Sequence, residues 1–148
     1  MRNLNTLFLN DIYNSFYKNT PSILEDLEIS PQINSELRSY NINLGRGSGK
    51  TTAIINFITQ HPETRFVFYS PNTVNVNYHF RNELINMTNC SLLAFSDNFS
   101  RIEYDIIILE DYTGLLYNKR ETLGLFENSL YTRMNSNKRK DQIYIKVG

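Results

Sequence analysis

A glycine-rich stretch between two regular patterns constrains the fold of this chain more than any other feature. Residues 45–52, Gly-Arg-Gly-Ser-Gly-Lys-Thr-Thr, follow an alternating run that ends at Leu44 and precede a helical pattern that begins at Ala53. Three glycines let the backbone turn tightly and present its N–H groups to an anion. The helix that follows adds unpaired N–H groups and the positive end of its dipole. This context predicts a phosphate-binding loop; the alternative is a glycine-rich loop that only begins a helix.

The loop predicts ATP and Mg²⁺ as the cofactors. Lys50 supplies a positive charge for the β- and γ-phosphates, and Thr51 offers a hydroxyl to the metal. The residues expected to bind the nucleotide through this loop are Gly45, Arg46, Gly47, Ser48, Gly49, Lys50, Thr51 and Thr52.

The loop departs from the usual pattern at its first glycine. Leu44 stands where that glycine is expected, so Arg46 lies inside the loop. This variant resembles the loop of large terminase subunits, the viral ATPases that pump DNA into capsids. The resemblance covers their ATPase half, residues 29–148 here, and implies that Arg46 acts in cis on the γ-phosphate. It also implies double-stranded DNA, further copies of the chain and other motor or capsid subunits as partners, and the host cytoplasm as the location.

A second informative stretch, residues 104–112, joins a run of β-forming residues to two carboxylates. The run predicts a central parallel strand that is buried on both faces. Glu110 and Asp111 follow at its carboxyl end, the edge at which open α/β sheets bind ligands. This is a Walker B arrangement with the usual order of the two acids reversed. We expect Glu110 to hold Mg²⁺ with Thr51, and Asp111, or Glu110 itself, to orient water; the alternative is a pair of solvent-facing charges.

Two other positions, Asp105 and Gln32, carry side chains that could serve the same site. Asp105 lies five residues before Glu110, about 16 Å away at the opposite end of the strand, so it cannot replace Glu110. Gln32, after Pro31, lies upstream of the loop, where terminase-like and helicase-like ATPases often have a glutamine that reads adenine. Its amide can both donate to and accept from the base. The alternative is an ordinary surface glutamine.

The remaining patterns predict the elements around these motifs. Residues 3–18 predict an amphipathic helix with Leu4, Leu7, Phe8, Ile12 and Phe16 on its apolar face, and a short helix is expected from Pro21 to Leu27. Residues 112–114 predict a turn. Residues 120–134 predict a helix that buries Leu123, Phe126, Leu130 and Met134. Strands are expected at 39–44, 65–70, 91–95, 104–110 and 142–147.

Composition limits the class of protein. The 148 residues suffice for one domain, and the formal net charge of zero provides no general field for nucleic acid, so any DNA contact must be local. Cys90 is the only cysteine, which excludes an intrachain disulfide and fits a cytoplasmic protein. The sequence has no apolar run of transmembrane length, so no membrane partner is expected.

We therefore expect a single P-loop ATPase domain over residues 1–148, with a helical extension at 1–28 and a nucleotide-binding core at 29–148. Its fold should be a three-layer α/β P-loop NTPase with a mostly parallel sheet. In this RecA-like class one strand lies between the loop strand and the Walker B strand. The expected function is Mg-dependent ATP hydrolysis by a terminase-like DNA-packaging or translocating motor.

Three alternatives stay open. A helicase-like ATPase core would share the loop, the strand at 65–70 and the Ser70-Pro71 pair that ends it, and Arg46 argues against it. A small nucleotide kinase would share the loop, but the second strand ends in Ser70-Pro71-Asn72 rather than in an acidic residue. A weakly catalytic nucleotide-binding interaction module would fit the reversed carboxylates.

Overall fold

The computed structural model describes residues 7–17, 38–42, 50–69, 87–93, 103–110, 112–136 and 142–148. The elements in these ranges are α1 (residues 7–17), β1 (Ser39–Ile42), α2 (Lys50–Gln60), β2 (Phe66–Tyr69), β3 (Cys90–Leu93), β4 (Ile106–Leu109), α3 (Tyr112–Asn118), α4 (Arg120–Ser136) and β5 (Ile143–Val147). All five expected strands are confirmed. β2, β4 and β5 begin one or two residues later than expected, and β3 begins one residue earlier, at Cys90. The helix expected at 21–27 lies outside the described residues, as do positions 43–44, 70 and 94–95 of the expected strands.

The described strands form one parallel sheet in the order β1-β5-β4-β2-β3. The last strand in the sequence, β5, lies between β1 and β4, so the strand expected between the loop strand and the acidic strand is present. Its register places Tyr144 between Ser39 of β1 and Ile107 of β4. The chain is therefore an α/β protein built on a parallel sheet.

Helices cover both faces of this sheet because successive strand residues point to opposite sides. In β2, Phe66 and Phe68 join the core beneath α1 and α2, whereas Val67 and Tyr69 join the core beneath α3 and α4. All four residues of β4 are likewise buried and divided between the two cores. The sheet is the middle of three layers. Among the described helices, none is long and apolar enough to cross a membrane.

The apolar face predicted for the helix at 120–134 is confirmed in α4. The four residues expected to be buried, Leu123, Phe126, Leu130 and Met134, are at most 8% exposed. The turn predicted at 112–114 is wrong, because α3 begins at Tyr112 and includes Gly114. Glycine in a helix costs about 1 kcal/mol relative to alanine, and burial of Leu115 in the core beneath α3 and α4 offsets this cost.

The predicted apolar face of α1 is confirmed in part. Phe16 is fully buried and Ile12 packs against the core, as expected. Leu7 and Phe8, however, are 42% and 55% exposed, and Leu9, which lies off the predicted face, is fully buried. The helix is turned so that Asn10 and Tyr13 contact the end of α2. Asn10 Nδ2 donates to Gln60 Oε1 over 2.6 Å, and the ring of Tyr13 stacks on His61 at 3.9 Å between centroids. These polar contacts carry no apolar signal, so hydrophobic periodicity could not locate them.

A fully buried arginine ties β1 to the opposite end of the described chain. Arg38 Nε donates to the carbonyl oxygen of Gln142 over 2.8 Å, and its Nη1 donates to the carbonyl oxygen of Met134 over 2.9 Å. The carbonyl oxygen of Arg38 in turn accepts from the N–H of Tyr144. The end of α4 and the beginning of β5 are therefore held against the beginning of β1.

Candidate functional site

The carboxyl ends of β1 and β4 lie at one edge of the sheet and at similar height. Lys146 of β5 is in register with Asn41 of β1 on one side and with Leu109 of β4 on the other. Glu110, which follows Leu109, is therefore level with Ile42, three residues before Gly45. Two strand spacings separate β1 from β4, about 9.5 Å. The structure thus brings the acidic strand end close to the point where β1 leads into the glycine-rich loop.

The backbone of α2 begins at Lys50, directly after the loop glycines. Lys50 and Thr51 therefore occupy its first turn, where helical N–H groups are unpaired, and Thr52 in the same turn is exposed. The structure does not describe the side chains of Lys50 and Thr51. The predictions for Gln32, Asp111 and the five loop residues Gly45, Arg46, Gly47, Ser48 and Gly49 fall outside the described residues.

Glu110 is an expected site residue whose side chain the structure places. It is 8% exposed, and its backbone N–H donates to the carbonyl oxygen of Tyr69 in β2 over 3.0 Å. Burial of a carboxylate costs free energy unless charge or hydrogen bonds compensate it. Asp105 lies at the opposite end of β4, where its Oδ2 accepts from the backbone N–H of Arg65 over 2.8 Å. Its expected position, at the end of β4 opposite Glu110, is confirmed.

The fit of these residues to Mg²⁺ rests on the type of donor. Among the described residues, no three His, Cys, Asp or Glu side chains come together as a metal-binding group. A magnesium ion bound with a nucleotide does not need such a group, since it takes one or two protein oxygens together with phosphates and water. One carboxylate at the edge, Glu110, and one hydroxyl residue in the first turn of α2, Thr51, match that requirement in kind.

A charged network lies beside this edge on the α3 and α4 side of the sheet. Lys146 Nζ is 3.9 Å from Glu127 Oε2 of α4, and both side chains are less than one-fifth exposed. The same ammonium lies 5.0 Å from the centre of the Tyr112 ring and 5.7 Å from that of Tyr144. Tyr131 donates its hydroxyl to Glu127 Oε2 over 3.3 Å. We call Lys146, Glu127, Tyr112, Tyr131 and Tyr144 the lysine network.

Burial and the charge of Glu127 keep the phenols of this network protonated. Burial is the larger cause and Glu127 the second, and together they raise the pKa of Tyr131 to about 12. The same two causes raise the pKa of Tyr112 and that of Tyr144. Tyr131 also shares a side-chain hydrogen bond with Ser39 of β1. The network therefore runs from β1 through α4 and β5 to the first residue of α3.

The lysine network is not predicted by the patterns in the sequence. One signal was available in the sequence, a lysine on the same face of the last strand as Tyr144. In the structure both residues pair with β4 residues that are buried in the core beneath α3 and α4. The alternating pattern of residues 142–147 predicts a strand, but it does not show which element covers Lys146. The position of Glu127 on α4 could not be predicted, because it depends on which strand lies beneath that helix.

Compared with protein-family models, curated proteins and solved structures, the chain has no significant match in any of the three.

Proposed function

We propose that this chain binds Mg·ATP and hydrolyses it as the ATPase core of a DNA-packaging or DNA-translocating motor similar to the large terminase subunits. The observation that carries the proposal is the position of buried Glu110 at the sheet edge to which β1 leads the glycine-rich loop. An anionic strand end beside a phosphate-binding loop is suited to a metal–nucleotide complex. The place of β5 between β1 and β4 supports a P-loop NTPase fold of the RecA-like class.

In this proposal each residue has a separate electrostatic task. Lys50 and the loop N–H groups neutralise the β- and γ-phosphates, and Thr51 and Glu110 hold Mg²⁺. Asp111, or Glu110 itself, orients a water molecule that attacks the γ-phosphorus as its bond to ADP breaks. Arg46 offsets the charge that spreads over the γ-phosphate oxygens. Catalysis of this kind depends on positioning and charge stabilisation rather than on a covalent intermediate.

Double-stranded DNA is the partner that the proposal assigns to this activity, together with further copies of the chain. The formal net charge of zero means that DNA contact would come from local basic residues.

Calorimetry with Mg·ATP tests the first part of the proposal. Replacing Lys50 with alanine should weaken binding by about tenfold or more, roughly 1.4 kcal/mol, because the loop would lose its phosphate-directed charge. Lys119→Ala is a matched control, since Lys119 is exposed at the junction of α3 and α4. Equal affinities of the parent and the Lys50→Ala protein would reject the site.

Turnover measured with and without double-stranded DNA tests the second part. A motor of the proposed kind should hydrolyse ATP faster when DNA is present. Stimulation by single-stranded nucleic acid alone would favour the helicase-like alternative, and phosphoryl transfer to a nucleotide acceptor would favour a kinase. Binding without turnover under every condition would favour the interaction module.

A further inference from the structure

The lysine network contains an ion pair that the proposed chemistry does not use. Lys146 is the only charged residue of β5, whose other residues are all buried. Its ammonium lies between one carboxylate, Glu127, and two aromatic rings, those of Tyr112 and Tyr144. A lysine in such a place loses hydration, and replacing a buried ion pair with apolar residues is often neutral or stabilising. Stability alone is therefore a weak reason for this arrangement.

The position of Tyr112 suggests what the network does. Tyr112 is the first residue of α3, and Glu110 lies two residues earlier at the end of β4. Lys146 is in register with Leu109, the residue before Glu110. A cation held over an aromatic ring is attracted by the negative face of the ring. The ammonium of Lys146 therefore holds the ring of Tyr112, and with it the beginning of α3, against the strand beside β4.

Glu127 fixes the ammonium from the other side. Its Oε2 accepts from Tyr131 and lies near Lys146, and Tyr131 is joined in turn to Ser39 of β1. The ammonium is thereby tied to α4 and to the strand that leads to the glycine-rich loop. A side chain restrained on both sides transmits position better than one that is free to rotate.

We infer that Lys146 is a positioning residue, which holds the beginning of α3 against β5 and so keeps Glu110, two residues before Tyr112, in a fixed place at the edge of the sheet. The inference rests on the proposed function for its consequence, namely that Lys146 tunes the binding of Mg²⁺ with the nucleotide. The restraint itself is a property of the protein without ligand, so it can be measured separately.

Amide hydrogen exchange of the ligand-free protein tests the restraint. Lys146→Met and Tyr112→Leu should each speed exchange across residues 112–118 by about fivefold, because each removes one partner of the cation–ring contact. Lys146→Arg keeps the cation and Tyr112→Phe keeps the ring, so both should exchange at the parental rate. Lys119→Met controls for loss of an exposed lysine. Tyr112→Leu leaves the ion pair between Lys146 and Glu127 intact. Its exchange rates therefore test the restraint even if the Lys146→Met protein does not fold.

Two results would overturn the restraint. One is parental exchange at 112–118 in the Tyr112→Leu protein. The other is an equal acceleration in residues 53–58 of α2, which would mean that the variant had only lowered global stability.

Nucleotide titrations with Mg²⁺ and with EDTA test the consequence. In EDTA, the Lys146→Met protein should bind ATP with the affinity of the parent. Addition of Mg²⁺ should raise its affinity for ATP about fivefold less than it raises that of the parent. In the Lys146→Arg protein, Mg²⁺ should raise the affinity for ATP as much as in the parent. If the parent binds no nucleotide, the proposed function is rejected. The exchange results would still decide whether Lys146 holds the beginning of α3. If Mg²⁺ raised the ATP affinity of the Lys146→Met protein as much as that of the parent, an effect of Lys146 on the binding of Mg²⁺ with the nucleotide would be rejected.

Discussion

Asn89 and His61 meet across the carboxyl end of α2, where Asn89 Nδ2 donates to the carbonyl oxygen of His61 over 3.0 Å. The same nitrogen lies 3.3 Å from the carbonyl oxygen of Ile58 and 3.2 Å from that of Thr64. The carbonyl oxygen of Asn89 accepts from the N–H of Phe66 over 2.8 Å. The last carbonyls of a helix have no partner within it. One side chain therefore closes α2 and the turn that leads to β2.

Replacement of Asn89 with alanine should lower the free energy of unfolding by about 1–3 kcal/mol, because three carbonyl groups at the end of α2 and in the turn that follows it would each lose one donor. Asn89→Asp keeps the shape but removes the donors, so it should be at least as harmful. Urea denaturation measures both variants. Asn56→Ala is the control, since Asn56 is exposed on the same helix. A loss no greater than that of the control would contradict the assigned role.

The core beneath α4 provides a second stability prediction. Leu130 is fully buried, whereas Leu125 on the same helix is 73% exposed. Leu130→Ala should cost about 2–5 kcal/mol through lost burial and the cavity it leaves. Leu125→Ala should change stability by no more than about 0.5 kcal/mol. Thermal or urea unfolding of the two variants compares the same substitution on two sides of one helix, and similar losses would mean that α4 is turned differently.

His61 predicts a pH dependence of stability. Burial lowers its pKa in the folded protein below the ordinary value of 6.5. The unfolded chain therefore binds the proton more readily, so stability should fall as the pH drops through about 6.5 and below. Unfolding measured between about pH 5.5 and 7.5 should show this slope in the parent and a flatter one in His61→Gln. His79→Gln is the control for the second histidine, and an unchanged slope in His61→Gln would refute the prediction.

Arg46 provides the sharpest catalytic prediction of the proposed function. Arg46→Ala should reduce the turnover of ATP by about a hundredfold, roughly 2.7 kcal/mol of transition-state stabilisation. The affinity for ATP should stay nearly unchanged, as expected for a contact made mainly in the transition state. Arg120→Ala, at an exposed position, is the control. Parental turnover in Arg46→Ala would remove the main support for the resemblance to terminases.

Prediction from sequence succeeded where the local pattern and the packing agree. The four consecutive β-forming residues of β4 and the apolar spacing of α4 each identify a buried surface without knowledge of the partner. The prediction for α3 was wrong because Tyr112-Thr113-Gly114 has the composition of a turn. The helix that forms there depends on burial of Leu115 against residues that lie elsewhere in the sequence. The predicted face of α1 was wrong at Leu7 and Phe8 for a related reason, since Asn10 and Tyr13 orient that helix through contacts with the end of α2.

The candidate site divides in the same way. Motif spacing predicted an acidic residue at the carboxyl end of β4, and the structure places Glu110 there. The predicted loop lies outside the described residues and stays a prediction. The lysine network could not be predicted, because Glu127 and Lys146 are far apart in the sequence and meet only when α4 packs across β5.

The pairing of β1 with β5 also determines when the site can be assembled during synthesis. Among the described strands β1 has β5 as its neighbour, and Ser39 pairs with Tyr144, roughly a hundred residues later. At the usual speed of translation, about 5–20 residues per second, that interval takes roughly 5–20 s. During this time β1, the strand that precedes the glycine-rich loop, has been synthesised but cannot yet pair with β5. A nascent chain should therefore acquire affinity for nucleotide abruptly, when residues 143–147 leave the exit tunnel, rather than when the loop itself appears.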